Sequence, residues 1–490
     1  MKLIRKGETP SWLVSLVPFG VLIFLLVLVV KAYGADALAG GSQVALLFAA
    51  GVTIAISMVF YKTSWSKFEE SITDNIRSVG TAIIILFLIG SVSGSWMVSG
   101  VVPTMIYYGT KVIFPEIFLF AACIISALIS VMTGSSWTTI ATVGVALIGI
   151  GTAQGYDVGW TAGAIISGAY FGDKISPLSD TTVLASSSSG TPLFTHIRYM
   201  MLTTVPSFVV ALVVFLIVSL CHDSTDPGVV VNFSNDLKST FNISPWLFVV
   251  PLATGFLIYK KVPAIITLFA ASLIAGLFAV FFQPDILAEI GSGEVQPDGT
   301  LSFMDAFKGL MQSFYGATAV DSGNAQLNDL ISTRGMTGML STVFLIIAAV
   351  TFGGALVGSG MLQSLTSMLV SFVKRRVSLV AATVGTGVFA DMVTGDQYLS
   401  IILTSSLYKK VYQERGYESR LLSRSVEDSA TVVSVLIPWN SCGMTQATVL
   451  NVSTLTYLPY CLFNLISPLM SILIAAIGYK IVRNKPYEDN

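Results

Sequence analysis

Long segments without a single charged residue alternate with short polar segments along the whole chain. Because about 20 apolar residues suffice for one helical crossing of a bilayer, this pattern predicts an all-α polytopic membrane protein. The predicted crossings lie near residues 12–33, 41–61, 79–102, 162–190, 196–220, 245–259, 262–283, 337–362, 426–449 and 456–480.

Two other apolar segments, 115–153 and 377–412, each contain two helical stretches around a short polar tip. The tips read TGSSW and TGDQY. Tips so small and weakly polar favour re-entrant hairpins that turn within the membrane, and two complete crossings remain the alternative. Either arrangement returns the chain to the side from which it entered.

The chain repeats part of its pattern after 261 residues. The tripeptide Thr133-Gly134-Ser135 recurs as Thr394-Gly395-Asp396, and Pro177 recurs as Pro438. Two-fold internal repeats are typical of transporters, which bind their substrate where the repeats meet. The alternative is a gene duplication without functional symmetry.

Composition excludes a soluble fold, since 54% of the residues are hydrophobic and only 11% are charged. The four cysteines lie far apart and without CxxC spacing, so neither a zinc site nor a disulfide framework is indicated. Motifs of hydrolases, metalloproteases and nucleotide-binding loops are absent from the sequence. We therefore expect no enzyme, no cofactor and no nucleic-acid partner.

Lysine and arginine indicate the orientation, because they concentrate in cytoplasmic loops. A cytoplasmic N terminus assigns 20 of the 26 basic residues to the cytoplasmic side. This predicts a protein of the cell membrane with both termini in the cytoplasm. Each half then has five crossings and one hairpin, and an odd number of crossings makes the two repeats inverted. The predicted units are a first repeat, 1–220, an extracytoplasmic linker, 221–244, and a second repeat, 245–490, with an extracytoplasmic loop at 285–334.

Carboxylates inside apolar segments are the candidate functional groups, because a charge at the bilayer centre costs at least about 2.5–3.5 kcal/mol. Asp173 and Asp180 lie in the crossing 162–190, and Asp391 and Asp396 lie beside the second hairpin tip. Pro177 and Pro438 interrupt the crossings 162–190 and 426–449, and a proline within a helix leaves backbone carbonyls without a donor.

Neutral oxygen ligands surround these positions, and hard cations such as sodium prefer oxygen. Asp173, Asp180 and Asp396 are the predicted sodium-binding carboxylates, and Asp391 is a further candidate. The neutral ligands predicted beside them are Thr133, Ser135, Ser179, Thr181, Thr394 and Asn440.

Other charged residues leave two interpretations open. Lys174 either pairs with Asp173 or Asp180 or serves as the partner of an anionic substrate. Glu427 and Asp428 follow Arg424 closely, so they lie either at the cytoplasmic interface or near the substrate. Glu116 begins a predicted helix, where a carboxylate is favourable.

Three segments, GAYFGDKISPLSDTT, TGDQYLS and EDSATVVSVLIPWNSCG, closely resemble the NhaC family of sodium/proton antiporters, within the larger ion transporter superfamily. The similarity covers about residues 79–480. It implies a scaffold domain, a mobile transport domain, an elevator-like mechanism and, by superfamily analogy, a homodimer. The family also includes carriers of malate, lactate and amino acids.

Sodium/proton exchange is therefore the leading hypothesis, with sodium, protons and the lipid bilayer as partners. Bound sodium favours the ionised form of a carboxylate, so sodium and protons compete for one site. The alternative is a sodium- or proton-coupled carrier of a small organic solute, either a carboxylate or an amino acid.

Overall fold

The computed structural model describes residues 10–33, 40–222, 227–260, 262–293, 301–371, 373 and 375–482. The described residues fold into helices, and their only bridge of β type joins Thr318 to Thr333. The predicted cytoplasmic termini, residues 1–9 and 483–490, lie outside the described residues, as do Lys261, Lys374 and part of the acidic segment, 294–300.

The helices of the first half, residues 1–220, follow the apolar segments and add one amphipathic helix, α4. They are α1 (Trp12–Ser15), α2 (Val17–Tyr33), α3 (Gly41–Phe60), α4 (Trp65–Ser78), α5 (Gly80–Val98), α6 (Val101–Val112), α7 (Phe118–Thr133), α8 (Ser136–Thr139), α9 (Val145–Ala153), α10 (Val158–Ile175), α11 (Asp180–Ser189) and α12 (Leu193–Leu220).

Helices also continue through the segment between the halves and through the second half, residues 245–490. They are α13 (Pro227–Thr240), α14 (Val249–Tyr259), α15 (Ala264–Phe282), α16 (Pro284–Gly291), α17 (Phe303–Tyr315), α18 (Ala325–Ile331), α19 (Leu340–Gly358), α20 (Met361–Ser371), α21 (Arg376–Thr394), α22 (Gln397–Glu414), α23 (Ser419–Val426), α24 (Ser441–Leu450), α25 (Thr454–Tyr457) and α26 (Leu462–Ile477).

The structure is that of a polytopic membrane protein. Among the described residues, nine helices are long and apolar enough to cross a membrane, and up to 11 if each of two bent helix pairs is one span. Three of the nine are limbs of the predicted hairpins: Pro115–Thr133, Ser136–Ala153 and Arg376–Thr394. Limbs of this length reach about 27–29 Å, close to the thickness of the hydrocarbon core, so the re-entrant arrangement stays a prediction.

The predicted extracytoplasmic loop 285–334 contains three helices, α16, α17 and α18. Helix α17 packs against α5 and α15. Its apolar residues recur three and four positions apart, which gives the helix one apolar face, and the charges on the other face hid it from a search for uncharged segments. The segment is thus part of the packed structure.

The two halves pack against each other in a reciprocal way. Helices α3 and α4 of the first half pack on α19 of the second, and helices α15 and α17 of the second half pack on α5 of the first. Helices α5 and α19 occupy corresponding positions in the two halves, since they start 260 residues apart. The two hairpins and the two interrupted helices come together beside this framework.

Candidate functional site

The two hairpin tips have the same backbone construction. Gly134 directly follows α7 and Gly395 directly follows α21, and both glycines have a φ of 66°. This left-handed conformation favours glycine because a side chain would collide with the backbone. The next residue caps the following helix: Ser135 accepts a hydrogen bond from the Thr138 amide at 3.2 Å, and Asp396 accepts one from the Leu399 amide at 3.0 Å.

Hydroxyl groups at the tips are also bonded in corresponding ways. Thr133 Oγ1 lies 3.1 Å from Thr139 Oγ1, and Thr394 Oγ1 lies 3.0 Å from Ser400 Oγ. In both tips the later hydroxyl donates to the carbonyl of the capping residue, at 2.9 Å in the first and 2.8 Å in the second. The predicted ligands Thr133 and Thr394 therefore belong to rigid turns.

Each interrupted helix restarts at a capped position. Ser179 caps α11 by accepting from the Thr182 amide at 3.4 Å, and it shares a 3.0 Å hydrogen bond with the Thr181 hydroxyl. Asn440 caps α24 by accepting from the Cys442 amide at 3.0 Å. Ser179 and Asn440 are 261 residues apart, so the two breaks occupy the same place in the repeated pattern.

Each tip lies directly against the break of its own half. A Cβ atom added at Gly134 would lie 2.6 Å from the Cβ of Leu178, and one added at Gly395 would lie 3.4 Å from the carbonyl oxygen of Trp439. The Ser441 amide also donates to the Gly395 carbonyl at 2.8 Å. At the first tip only glycine permits this approach, whereas at the second tip a Cβ would instead crowd Ala349, at 2.6 Å.

A cavity of about 630 Å³ lies where the first break meets both hairpin tips. Polar side chains from eight helices line it, and apolar residues around the turn between α14 and α15 complete the wall. Five of the ten predicted site residues are in the lining: Thr133, Ser135, Asp173, Asp180 and Thr181. Other polar residues of the lining are Ser78, Thr81, Thr138, Thr267, Gln397 and Tyr398.

The two aspartates of the cavity differ in their contacts. Asp173 is 7% exposed, and its Oδ2 accepts hydrogen bonds from the Ser136 amide at 3.1 Å and the Ser136 hydroxyl at 2.7 Å. Asp180 is exposed and makes no hydrogen bond or ion pair within the described part of the chain. One carboxylate is thus fixed in position, and the other is free to bind an ion.

The other five predicted residues are buried away from the cavity lining. They are Ser179, Thr394, Asp391, Asp396 and Asn440. Asp396 Oδ2 accepts from the Ser441 hydroxyl at 3.3 Å. Neither carboxylate oxygen of Asp391 has a hydrogen-bond partner of standard geometry among the described residues, and its main-chain carbonyl accepts from the Asn440 side chain at 3.2 Å.

A serine and an aspartate exchange places between the halves. At the hairpin tip Ser135 corresponds to Asp396, and at the start of the helix after the break Asp180 corresponds to Ser441. In the second half the two partners are in contact, and in the first half both line the cavity. Of these two positions, one at the hairpin tip and one after the break, each half therefore has a carboxylate at only one.

The expected partners of Lys174 were wrong. Its amine forms an ion pair with Asp428 of the second half, and both side chains are fully buried. Ser467 accepts from the same amine at 2.9 Å, and Thr203 donates to Asp428 at 3.1 Å. Lys174 is absent from the cavity lining, so it is not placed to bind an anionic substrate there.

Glu427 and Asp428 do not lie at an interface with water, since both are fully buried. They begin a turn of π-helix, Glu427–Thr431, which continues α23 into the protein. A π turn keeps the helical direction and shifts the register of side chains by one position. Local sequence gives no sign of it, because the apolar spacing around it is that of an ordinary helix.

Known proteins of one family are similar to this chain over most of its length. The sequence model of the Na+/H+ antiporter family matches residues 8–188 and 168–479. The Na(+)/H(+) antiporter NhaC of Bacillus subtilis is 34% identical over 88% of this chain and 91% of its own length. The malate-2H(+)/Na(+)-lactate antiporter of Bacillus subtilis is 33% identical over 81% of both chains. The arginine/ornithine antiporter ArcD of Halobacterium salinarum is 31% identical over 98% of this chain and 95% of its own.

Proposed function

Since this chain belongs to the Na+/H+ antiporter family, we propose that this membrane transporter exchanges sodium ions for protons across the cell membrane. The observation that carries the proposal is the pair of carboxylates, Asp173 and Asp180, in a polar cavity bounded by both hairpin tips. Intramembrane carboxylates facing a cavity are the usual groups of ion pathways.

The sodium ion binds between Asp173 and Asp180, with Thr133, Ser135 and Thr181 as neutral oxygen ligands. The hydrogen bonds from Ser136 to Oδ2 hold Asp173 in place for this contact. Sodium favours the ionised carboxylates and a proton replaces it, so the two cargoes exclude each other at one site. This competition makes the transporter an exchanger.

The different exposure of the two breaks supports alternating access. Pro177, Leu178 and Asp180 of the first break are exposed, whereas Ile437, Asn440 and Ser441 of the second are buried. If the halves are inverted repeats, an exchange of these two conformations opens the cavity on the opposite side. The hairpins and interrupted helices then move against the framework of α3, α5, α15 and α19, in an elevator-like motion.

Orientation, localisation and assembly complete the proposal. The cavity wall includes Ser78 and Val262. Ser78 directly follows Arg77, and Val262 comes two positions after Lys260. Basic residues favour the cytoplasmic side, so we place the open cavity there, with both termini in the cytoplasm. A homodimer formed through framework helices rests on superfamily analogy alone.

A second function, coupled transport of a small organic acid or amino acid, is favoured by the size of the cavity. Its volume lies in the range of about 300–1,000 Å³ that is usual for small-molecule sites, and a sodium ion alone needs much less. Uncharged polar groups such as Thr81, Thr267 and Gln397 line it. Relatives named for malate, lactate, arginine and ornithine are compatible with this function.

The decisive test is sodium-driven proton flux into proteoliposomes, read with a pH-sensitive dye. We expect flux with sodium alone in the native protein and at least a hundredfold loss in Asp180→Asn and Asp173→Asn. Glu116 is exposed and lies near the start of α7. Glu116→Gln also replaces a carboxylate by an amide, so it serves as the matched control and keeps native flux.

Two other results have definite meanings in this test. Flux that requires malate, lactate or an amino acid selects the second function and identifies the solute. Native exchange by both aspartate variants contradicts the assignment of the site.

A further inference from the structure

Four charged side chains are fully buried where the two interrupted helices meet. Lys174 comes from α10, Arg424 from α23, and Glu427 and Asp428 from the π turn that follows α23. Burying a charge is unfavourable unless partners compensate its loss of hydration. π turns within helices occur frequently at functional sites.

Asp428 is the centre of this cluster. Its Oδ1 pairs with the Lys174 amine and accepts from Thr203, and its Oδ2 lies 3.9 Å from Arg424 Nε. The Arg424 guanidinium lies 4.9 Å from the centre of the Tyr199 ring and makes no hydrogen bond with the other described residues. Two cations therefore flank Asp428.

Glu427 is the member of the cluster that forms no ion pair within the described part of the chain. Its side chain is fully buried, and neither carboxylate oxygen has a hydrogen-bond partner of standard geometry among the described residues. The Thr431 hydroxyl is the donor nearest to bonding it, and Lys174, Asp173 and Asp428 are the charged groups that act on it electrostatically. A buried carboxylate with so few donors is rare in native structures and requires an explanation.

Counting charges suggests the explanation. With Glu427 protonated, the cluster has two cations and one anion and carries a net charge of +1. With Glu427 ionised, the net charge is zero, but the Thr431 hydroxyl alone replaces little of the carboxylate's lost hydration. Each protonation state thus has one favourable and one unfavourable feature, so the proton on Glu427 can be exchanged.

Other titratable groups lie on the helices packed against the π turn. Among the described residues, these groups form no bond to Glu427 that would favour one of its protonation states. Asp391 of α21 and Asp180 of α11 form no bond to Glu427, and the hydroxyls of Tyr408 and Tyr412 on α22 are bonded to threonines of α21. On α12, His196 is bonded to Ser423 at 2.9 Å. Helix α26 contributes no titratable residue.

We propose that Glu427 is a proton-carrying residue of the exchange cycle, distinct from the carboxylates that line the cavity. This inference rests on the proposed sodium/proton exchange. Proton uptake forms one O–H bond on Glu427 and takes the cluster from neutral to +1, and release reverses both changes.

Sodium binding drives the release. Asp173 acts electrostatically on Glu427, so a sodium ion that binds to ionised Asp173 cancels a negative charge near a cluster that already carries +1. Loss of that negative charge favours the ionised form of Glu427. The proton on Glu427 then leaves as sodium binds, which adds to the competition between the two cargoes at the cavity.

Two flux measurements on Glu427→Gln in proteoliposomes test this role. Exchange of isotopic sodium for unlabelled sodium requires the loaded carrier to cross but needs no net proton movement, whereas sodium-driven proton flux needs both. At saturating sodium, which overcomes the weaker binding expected from a cluster fixed at +1, we expect isotopic exchange to keep at least half of its native rate and proton flux to fall at least tenfold. Glu427→Asp, which keeps a carboxylate, should recover part of the proton flux, and Glu116→Gln is the control.

Each other outcome is informative. Native proton flux in Glu427→Gln, with an unchanged dependence on pH, overturns the inference. An equal loss of both fluxes in Glu427→Gln and Glu427→Asp means that the residue is only structural and also overturns it. Absence of sodium-driven proton flux in the native protein instead refutes the proposed function itself.

Discussion

Single residues decide the shape of the hairpin tips. Gly134 and Gly395 each provide a left-handed turn and a bare backbone against which a break can pack. Both glycines stand out in the sequence because the motif around them is repeated. The contact of Asp173 with Ser136 could not be predicted in the same way, because it depends on how α10 packs against α7.

We expect Gly134→Ala to destabilise the protein and to abolish transport. A left-handed alanine costs roughly 1–2 kcal/mol, and its Cβ would lie 2.6 Å from Leu178. Thermal unfolding in detergent, measured together with sodium flux, checks this expectation.

Gly385→Ala is the matched control for this prediction. Gly385 lies within α21, and a Cβ there would have nothing within 4 Å. Alanine is favoured over glycine inside a helix by about 1 kcal/mol, so this variant should be at least as stable as the native protein. An equal loss in both variants would mean that the left-handed turn is not the cause.

At the scale of helices, the ion pair of Lys174 with Asp428 joins α10 to the π turn. These residues are 254 positions apart and belong to different halves. The sequence indicated which helices are interrupted and which carboxylates lie within apolar segments. It could not indicate the pairing, because local spacing carries no information on contacts between distant helices.

We predict strong coupling between the two members of this pair. Lys174→Gln leaves Asp428 buried with one cation fewer, and breaking a buried pair from one side costs about 3–5 kcal/mol. The double variant Lys174→Gln with Asp428→Asn removes both charges and should lose less stability than the sum of the single variants. Melting temperatures of the four proteins measure the coupling, and additive losses would contradict it.

At the scale of the whole molecule, uncharged segments predicted the position of most long helices. Helix α3 (Gly41–Phe60), for example, fills the predicted crossing 41–61. Helices α4, α16 and α17 were missed because their charged residues interrupt the apolar segments, although each helix has one apolar face. Charge content separates crossings from loops well, but it does not separate loops from amphipathic helices.

Orientation in the membrane can be tested with a natural probe. Cys221, just after α12, is exposed, whereas Cys123, Cys442 and Cys461 are buried. The distribution of basic residues predicts that Cys221 lies outside the cell. A membrane-impermeant maleimide should therefore label intact cells, and Cys221→Ser should abolish the labelling. Labelling restricted to inside-out vesicles would reverse the predicted topology.

The exchange of serine and aspartate between the halves has a consequence for ancestry. A chain made of two identical copies of the first half would have both carboxylates after its breaks and none at its hairpin tips, and two copies of the second half would have the opposite. Neither half alone contains both arrangements. If the halves descend from one duplicated segment, serine and aspartate must have exchanged places in one copy after the duplication, so neither half could now replace the other.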